Sequence, residues 1–140
     1  MRVISTIVKR HSRYGQEPTG RVVDIDWEAK KVTHELPVPD PVDPSSNPNP
    51  RGGARGGRGV RVHKGRIYFA NYDSIFRYTM DWGPKGRLSN NLTAGIHEIW
   101  THKDGIWVAA TSLDAALKLD YRGKLISRWY YREEPALHEI

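Results

Sequence analysis

Histidine beside glutamate occurs twice in one setting: Ile96-His97-Glu98-Ile99, and Leu137-His138-Glu139-Ile140 41 positions later. A neutral imidazole can ligate a metal ion or accept a proton, and a neighbouring carboxylate can orient the ring. Two further carboxylates, Asp73 and Asp114, also lie 41 apart. Arginine gathers in Arg51-Gly52-Gly53-Ala54-Arg55-Gly56-Gly57-Arg58-Gly59. Guanidinium groups on a glycine-rich chain clamp anions and stack on RNA bases. Each feature also has a plain structural use. His-Glu can bond loop amides at the start of a strand, Asp can close a turn on its own backbone, and Gly lets backbones approach closely. No phosphate-binding Walker loop, His-Glu-x-x-His helix or nucleophile elbow is present.

The elements that must position these residues repeat with the same spacing. In 95–131, strand A is read at 96–100, strand B at 106–110, strand C at 115–119 and strand D at 124–129. In 58–94 the corresponding strands are 59–62, 66–70, 75–78 and a strand D beginning at 87, after a turn at 81–86. Gly65 and Gly105 lie 40 apart, each after His-Lys, so the first turn reads as one residue shorter. A partial copy, 2–36, carries strands B to D at 2–8, 21–25 and 31–36. Its C–D turn starts Asp26-Trp27, and the later ones start Asp81-Trp82 and Asp120-Tyr121. The Asp suits turn N–H groups, and the aromatic can lie over the neighbouring sheet.

Strand-like repeats near 40 residues predict an all-β fold of β-propeller blades, about three four-stranded antiparallel sheets in a partial ring. One domain covers 1–140, with the next blade starting at 137–140. The prolines and glycines of 37–57 predict a long exposed loop between strand D and the next strand A. A propeller needs about four blades or more to close. The chain is therefore expected to be the front half of a longer six-bladed protein, or a half-ring that assembles as a homodimer.

The net charge of +6 favours anionic partners. The chain has no cysteine, which excludes disulfide scaffolds and thiolate metal sites. The apolar run 3–8 is too short for a signal-peptide core, and no spanning segment follows. The expectation is a soluble, cytoplasmic protein with no membrane partner.

Several motifs also resemble an uncharacterised six-bladed β-propeller family with NHL- and SMP-30-like architecture. They are Val3-Ile4-Ser5-Thr6-Ile7-Val8, the Arg-Gly tract leading into Gly65-Arg66-Ile67-Tyr68-Phe69-Ala70, His97-Glu98-Ile99, and 105–114 from Gly105-Ile106-Trp107 to Leu113-Asp114. The resemblance implies the N-terminal half of such a ring. The metal-binding Glu/Asn/Asp set of SMP-30-like lactonases finds no match residue by residue, so that reaction is not implied.

Antiparallel order places strand-A starts and B–C loops on one face. Arg58, His97 and His138 are expected there at equivalent positions, with Glu98, Glu139, Asp73 and Asp114 as further ligand-binding candidates. Arg10, His11, Arg13, Arg51 and Arg55 join that face, while His63 and His102 belong to the other. The expected function is a binding module of unassigned activity whose basic, His-containing channel mouth takes an anionic small molecule, a glycan or a protein. One rival is a metal-assisted hydrolase or lyase in which His97 and His138 hold a divalent metal. The other is an RNA scaffold acting through Arg51, Arg55 and Arg58.

Overall fold

Ile67-Tyr68-Phe69-Ala70 offers no charged side chain to turn towards water, and each of the four is at most 4% exposed. A strand covered on both faces reads as such an unbroken apolar run. The computed structural model describes residues 1–12, 15–42 and 56–137. It places this run at the centre of the middle one of three antiparallel sheets.

The first sheet has strands β1 (Arg2–Val8), β2 (Gly20–Asp26) and β3 (Lys31–Pro37). The second has β4 (Arg58–His63), β5 (Arg66–Ala70), β6 (Ser74–Thr79) and β7 (Pro84–Ser89). The third has β8 (Ile96–His102), β9 (Gly105–Ala110), β10 (Ala115–Leu119) and β11 (Leu125–Tyr130). Each sheet is an up-and-down meander, as in the blades of a β-propeller.

Alternation sorts the core into two layers. Ile67 and Phe69 pack with Val22, Phe76 and Trp82 between the first and second sheets. Tyr68 and Ala70 pack with Ile75, Ile99, Val108 and Leu117 between the second and third.

The junctions share a device. Ile96 N donates to Tyr72 O (2.9 Å), and Gly56 N donates to Thr19 O (3.2 Å). Tyr72 lies just before β6 and Thr19 just before β2, so β2 corresponds to a strand C and β1 to a strand B.

Details differ from the sequence reading. The hairpin at Lys64-Gly65 is not shorter than the one at Lys103-Asp104. His63 pairs with Arg66 and His102 pairs with Gly105, so both turns have two residues. Gly65 occupies a left-handed turn position (φ +67°). Gly105 instead lies in a strand, where an added Cβ would come within 2.3 Å of the Leu119 carbonyl oxygen.

Strand β7 begins at Pro84 rather than at 87. As the outermost strand it needs no ladder hydrogen bond from the proline nitrogen on its free side. The loop expected to be exposed is tied down at both described ends. Val38 is buried and donates to Gly20 O (2.9 Å), and Gly56 and Gly57 are buried. Leu137, expected to open another strand, closes a single 3-10 turn (Pro135–Leu137), its N–H bonded to Glu134 O (3.0 Å). No helix of the described residues is long and apolar enough to cross a membrane.

Candidate functional site

Arg58 and His97 both lie at the start of an inner strand, Arg58 as the paired residue before the slip and His97 as the skipped residue of its own. Arg58 pairs with Ala70, and the ladder then slips before Val60–Phe69. Ile96 pairs with Ala110, and the ladder slips before Glu98–Ala109. Both strands therefore open on a bulge, a device that re-aims side chains at the rim of a sheet. Gly59 has φ +44°, and an added Cβ would lie 2.7 Å from Glu98 Oε1 and 2.9 Å from Ile99 N. Glycine here lets β4 lie directly against β8.

Glu98 is committed to that contact. Its Oε1 accepts from Ile99 N at 3.0 Å and lies 3.4 Å from Arg61 Nη2. The Arg61 guanidinium also lies over the Trp100 ring, 5.1 Å from its centre. Sequence reasoning did not single out Arg61 or Trp100. The packing of β4 on β8 makes them partners.

The B–C loop carboxylates are similarly engaged. Asp73 Oδ2 accepts from Val42 N (2.8 Å), and its Oδ1 accepts from Ser74 Oγ (2.6 Å). Asp114 has φ +49° and accepts from Arg132 Nε (2.6 Å). In the first loop Asn71 closes the turn. Buried Asn71 Oδ1 accepts from Asp73 N (3.0 Å) and Ser74 N (2.8 Å), while Nδ2 donates to Pro39 O (3.0 Å). Asn71→Ala strips the partners from two loop N–H groups. It is expected to lower the unfolding free energy by about 1–3 kcal/mol, measured by urea denaturation.

The described residues place basic groups at this same end. Ile7, Lys9, Arg10, Pro18 and Arg21 line a cavity of about 470 Å³. The chain leading to Arg58 passes beside it: a Cβ on Gly57 would lie 2.6 Å from Ile7 O, and one on Gly20 2.5 Å from Gly56 O. Lys9 pairs with Glu17 and Arg21 with Glu35. The charge run at 9–10 was legible in sequence; the inclusion of Arg21 needed the β1–β2 pairing. Arg13, Arg51, Arg55, His138 and Glu139 lie outside the described residues. Among the described residues no three His, Asp or Glu side chains come together in a way that could hold a metal ion.

The opposite end carries a separate polar cluster. Asp104 pairs with Lys118 Nζ (2.8 Å) and His102 Nδ1 (2.6 Å). The Lys118 hydrogen bond, then that of His102, holds its carboxyl far below the usual carboxylate range. The C–D turn aromatics lie over the preceding sheets. Trp82 Nε1 donates to Asp24 Oδ2 (3.0 Å) and stacks on His34, with ring centres 4.9 Å apart. Tyr121 stacks on His63 (5.8 Å), and its carbonyl accepts from Arg77 Nη1 (3.4 Å). Asp26 and Asp120 accept turn N–H groups: from Ala29 N at 3.1 Å, and from Arg122 N at 2.8 Å.

No family profile and no curated protein matches this chain. Among solved structures it is similar to the Neurospora crassa Pan2 WD40 domain, with a TM-score of 0.55 and 11% identity over 79% of this chain and 32% of that one. It is similar to a Bacteroides caccae protein of unknown function, with a TM-score of 0.53 and 15% identity over 88% and 39%. It is also similar to Myxococcus xanthus glutaminyl cyclase, with a TM-score of 0.50 and 10% identity over 77% and 43%. The chain spans roughly a third to two fifths of these structures. At such identities the likeness shows the fold alone, that of a β-propeller.

Proposed function

We propose that this chain is a propeller binding module whose strand-A end takes an anionic small molecule or a glycan bearing sulfate or carboxylate groups. The observation that carries this reading is the cavity of about 470 Å³ lined by Lys9, Arg10 and Arg21, beside the strand that begins at Arg58. A concave site with several cations concentrates anions and gives their oxygens paired N–H donors. His97, at the start of the inner strand one blade on, supplies a further donor at the mouth. In this reading the blades belong to a six-bladed ring, as the family resemblance implies.

The test is calorimetric titration with a heparin-derived oligosaccharide. Arg10→Ala combined with Arg58→Ala is expected to weaken binding by about tenfold per arginine, and added salt to weaken the wild type. Unchanged affinity in the double variant overturns the reading. Two other results would redirect it. Zinc binding lost with His97→Ala and His138→Ala would favour the metal-assisted enzyme. Single-stranded RNA binding lost with Arg51→Ala and Arg55→Ala, and not displaced by the oligosaccharide, would favour the RNA scaffold.

A further inference from the structure

We infer that the turns joining the second and third sheets, at the end opposite the anion cavity, bind the phosphate backbone of a nucleic-acid duplex without reading its sequence. The inference rests on those turns and not on the cavity.

Three turns are gathered there by one side chain. The Tyr121 ring, from the turn between β10 and β11, stacks on His63 at the end of β4, with ring centres 5.8 Å apart. Its hydroxyl donates to the His102 carbonyl at the end of β8. The hairpins Lys64-Gly65 and Lys103-Asp104 are thereby held against the turn at 120–124. The core beneath them, between the second and third sheets, is closed by described residues.

The joined turns present Lys64, Lys103, Arg122 and Lys124, all exposed. Among the described residues none of the four is in an ion pair. The two carboxylates beside them are engaged with other groups. Asp104 pairs with Lys118 and His102. Asp120 Oδ1 accepts from Arg122 N (2.8 Å) and Lys124 N (2.9 Å). Charges of one sign left unpaired repel one another and attract a polyanion.

Lys64 shows what this arrangement costs. Its φ is +46° and that of Gly65 is +67°, both positive as in the two-residue hairpin turn that prefers Asn-Gly. A lysine in the first position strains the backbone. Its Nζ lies 3.5 Å from the Lys103 carbonyl oxygen, which sets its charge over the hairpin that carries a second lysine. Asparagine would relieve both the strain and the repulsion. A costly residue where a favourable one fits is the pattern of a position kept for function.

The chemistry of the turns selects the occupant. Segments 63–66, 102–105 and 120–124 contain no aliphatic side chain, so they offer no anchor to a membrane or to the apolar centre of a protein interface. Lysine is a hydrated point charge suited to phosphate oxygens spaced along a backbone. The rings at this end are engaged, Tyr121 on His63 and His102 with Asp104, and do not offer a face for stacking an unpaired base. Duplex phosphates need the cations and no stacking ring.

Fluorescence anisotropy with a labelled short DNA duplex, across a salt series, tests this. Lys64→Asn is expected to weaken binding about threefold and to flatten the logarithmic salt slope by about 1. The same variant should melt about 3 °C higher, which separates lost binding from lost folding. Adding Lys103→Gln and Lys124→Gln should bring the loss to about 30-fold. Arg87→Ala removes an exposed charge from mid-strand β7, away from these turns, and should leave affinity unchanged. Wild-type affinity in the triple variant overturns the inference, as does a Lys64→Asn protein that melts lower. Equal weakening by Arg87→Ala overturns it too, since net charge would then suffice. So does tighter binding of the single strand, or displacement of the duplex by poly-glutamate at equal charge.

Discussion

Phe69→Ala is expected to remove about 3–5 kcal/mol of unfolding free energy, enough to unfold a marginally stable domain. The Phe69 ring is fully buried between the first two sheets. Its neighbours Phe76 and Tyr78 lie with ring centres 5.4 Å and 5.3 Å away, so truncation deletes two aromatic contacts and leaves a cavity. The surrounding strands are held in register by ladders on both sides of β5 and cannot collapse into the space. Urea unfolding followed by tryptophan fluorescence checks the value. Phe69→Leu, which keeps most of the volume, should cost about half as much or less. Equal losses in the two variants would show that the ring contacts, and not the filled volume, carry the effect.

Asp24→Ala is the second large effect. The Asp24 carboxylate is buried between the first two sheets, accepting from Arg2 Nε at 2.8 Å and Trp82 Nε1 at 3.0 Å. Removing it leaves an indole N–H and a guanidinium facing a void. A loss of about 2–3 kcal/mol is expected, below the range of fully buried pairs because Arg2 is partly exposed. The effect is tied to pH. Burial alone raises the pKa, but the hydrogen bonds from Arg2 and Trp82, with the charges of Arg2 and His34, bring it below the ordinary aspartate value. A group whose pKa is depressed on folding stabilises the protein above its unfolded pKa, about 3.9 for aspartate. That contribution is lost as pH falls through the lower folded value. Asp24→Asn should therefore be less stable than wild type near neutrality, and the gap should narrow below about pH 4. A gap independent of pH would mean that the carboxylate charge is not what Arg2 and Trp82 respond to.

Much of the fold is legible in local sequence. Alternation in Ala115-Ala116-Leu117-Lys118-Leu119 marks a strand with one fully buried face, and Asp-aromatic pairs mark three turns. The turn aromatics lie over the preceding sheet at Trp82 and Tyr121, as their type and spacing suggest. The one-residue error in aligning Gly65 with Gly105 has a physical cause. The same residue type answers two needs, a left-handed turn in one blade and the close approach of a carbonyl in the other. A single letter does not distinguish them. Pro84 opening β7 was missed for a related reason: proline forbids an inner strand but not the outermost one, and position within the sheet is not a local property.

The candidate site was less legible. Glu98 stood as a ligand-binding candidate beside a histidine, and the structure engages it with Arg61 and the Ile99 amide, the amide bond being the plain structural use open to His-Glu. Asp73 looked like the residue that closes its own loop, yet Asn71 does so, and Asp73 holds Val42 across 31 positions of chain.

The amino-acid sequence alone determined the blade repeat, the strands, their buried faces and the turn chemistry. These depend on backbone geometry and on the period-two alternation of neighbouring side chains. Tertiary structure decided which carboxylates are occupied, which cations share a cavity and which tryptophans remain in solvent. Those outcomes depend on partners brought together by sheet packing from distant stretches of chain, and the chemistry of a side chain is set by what lies against it.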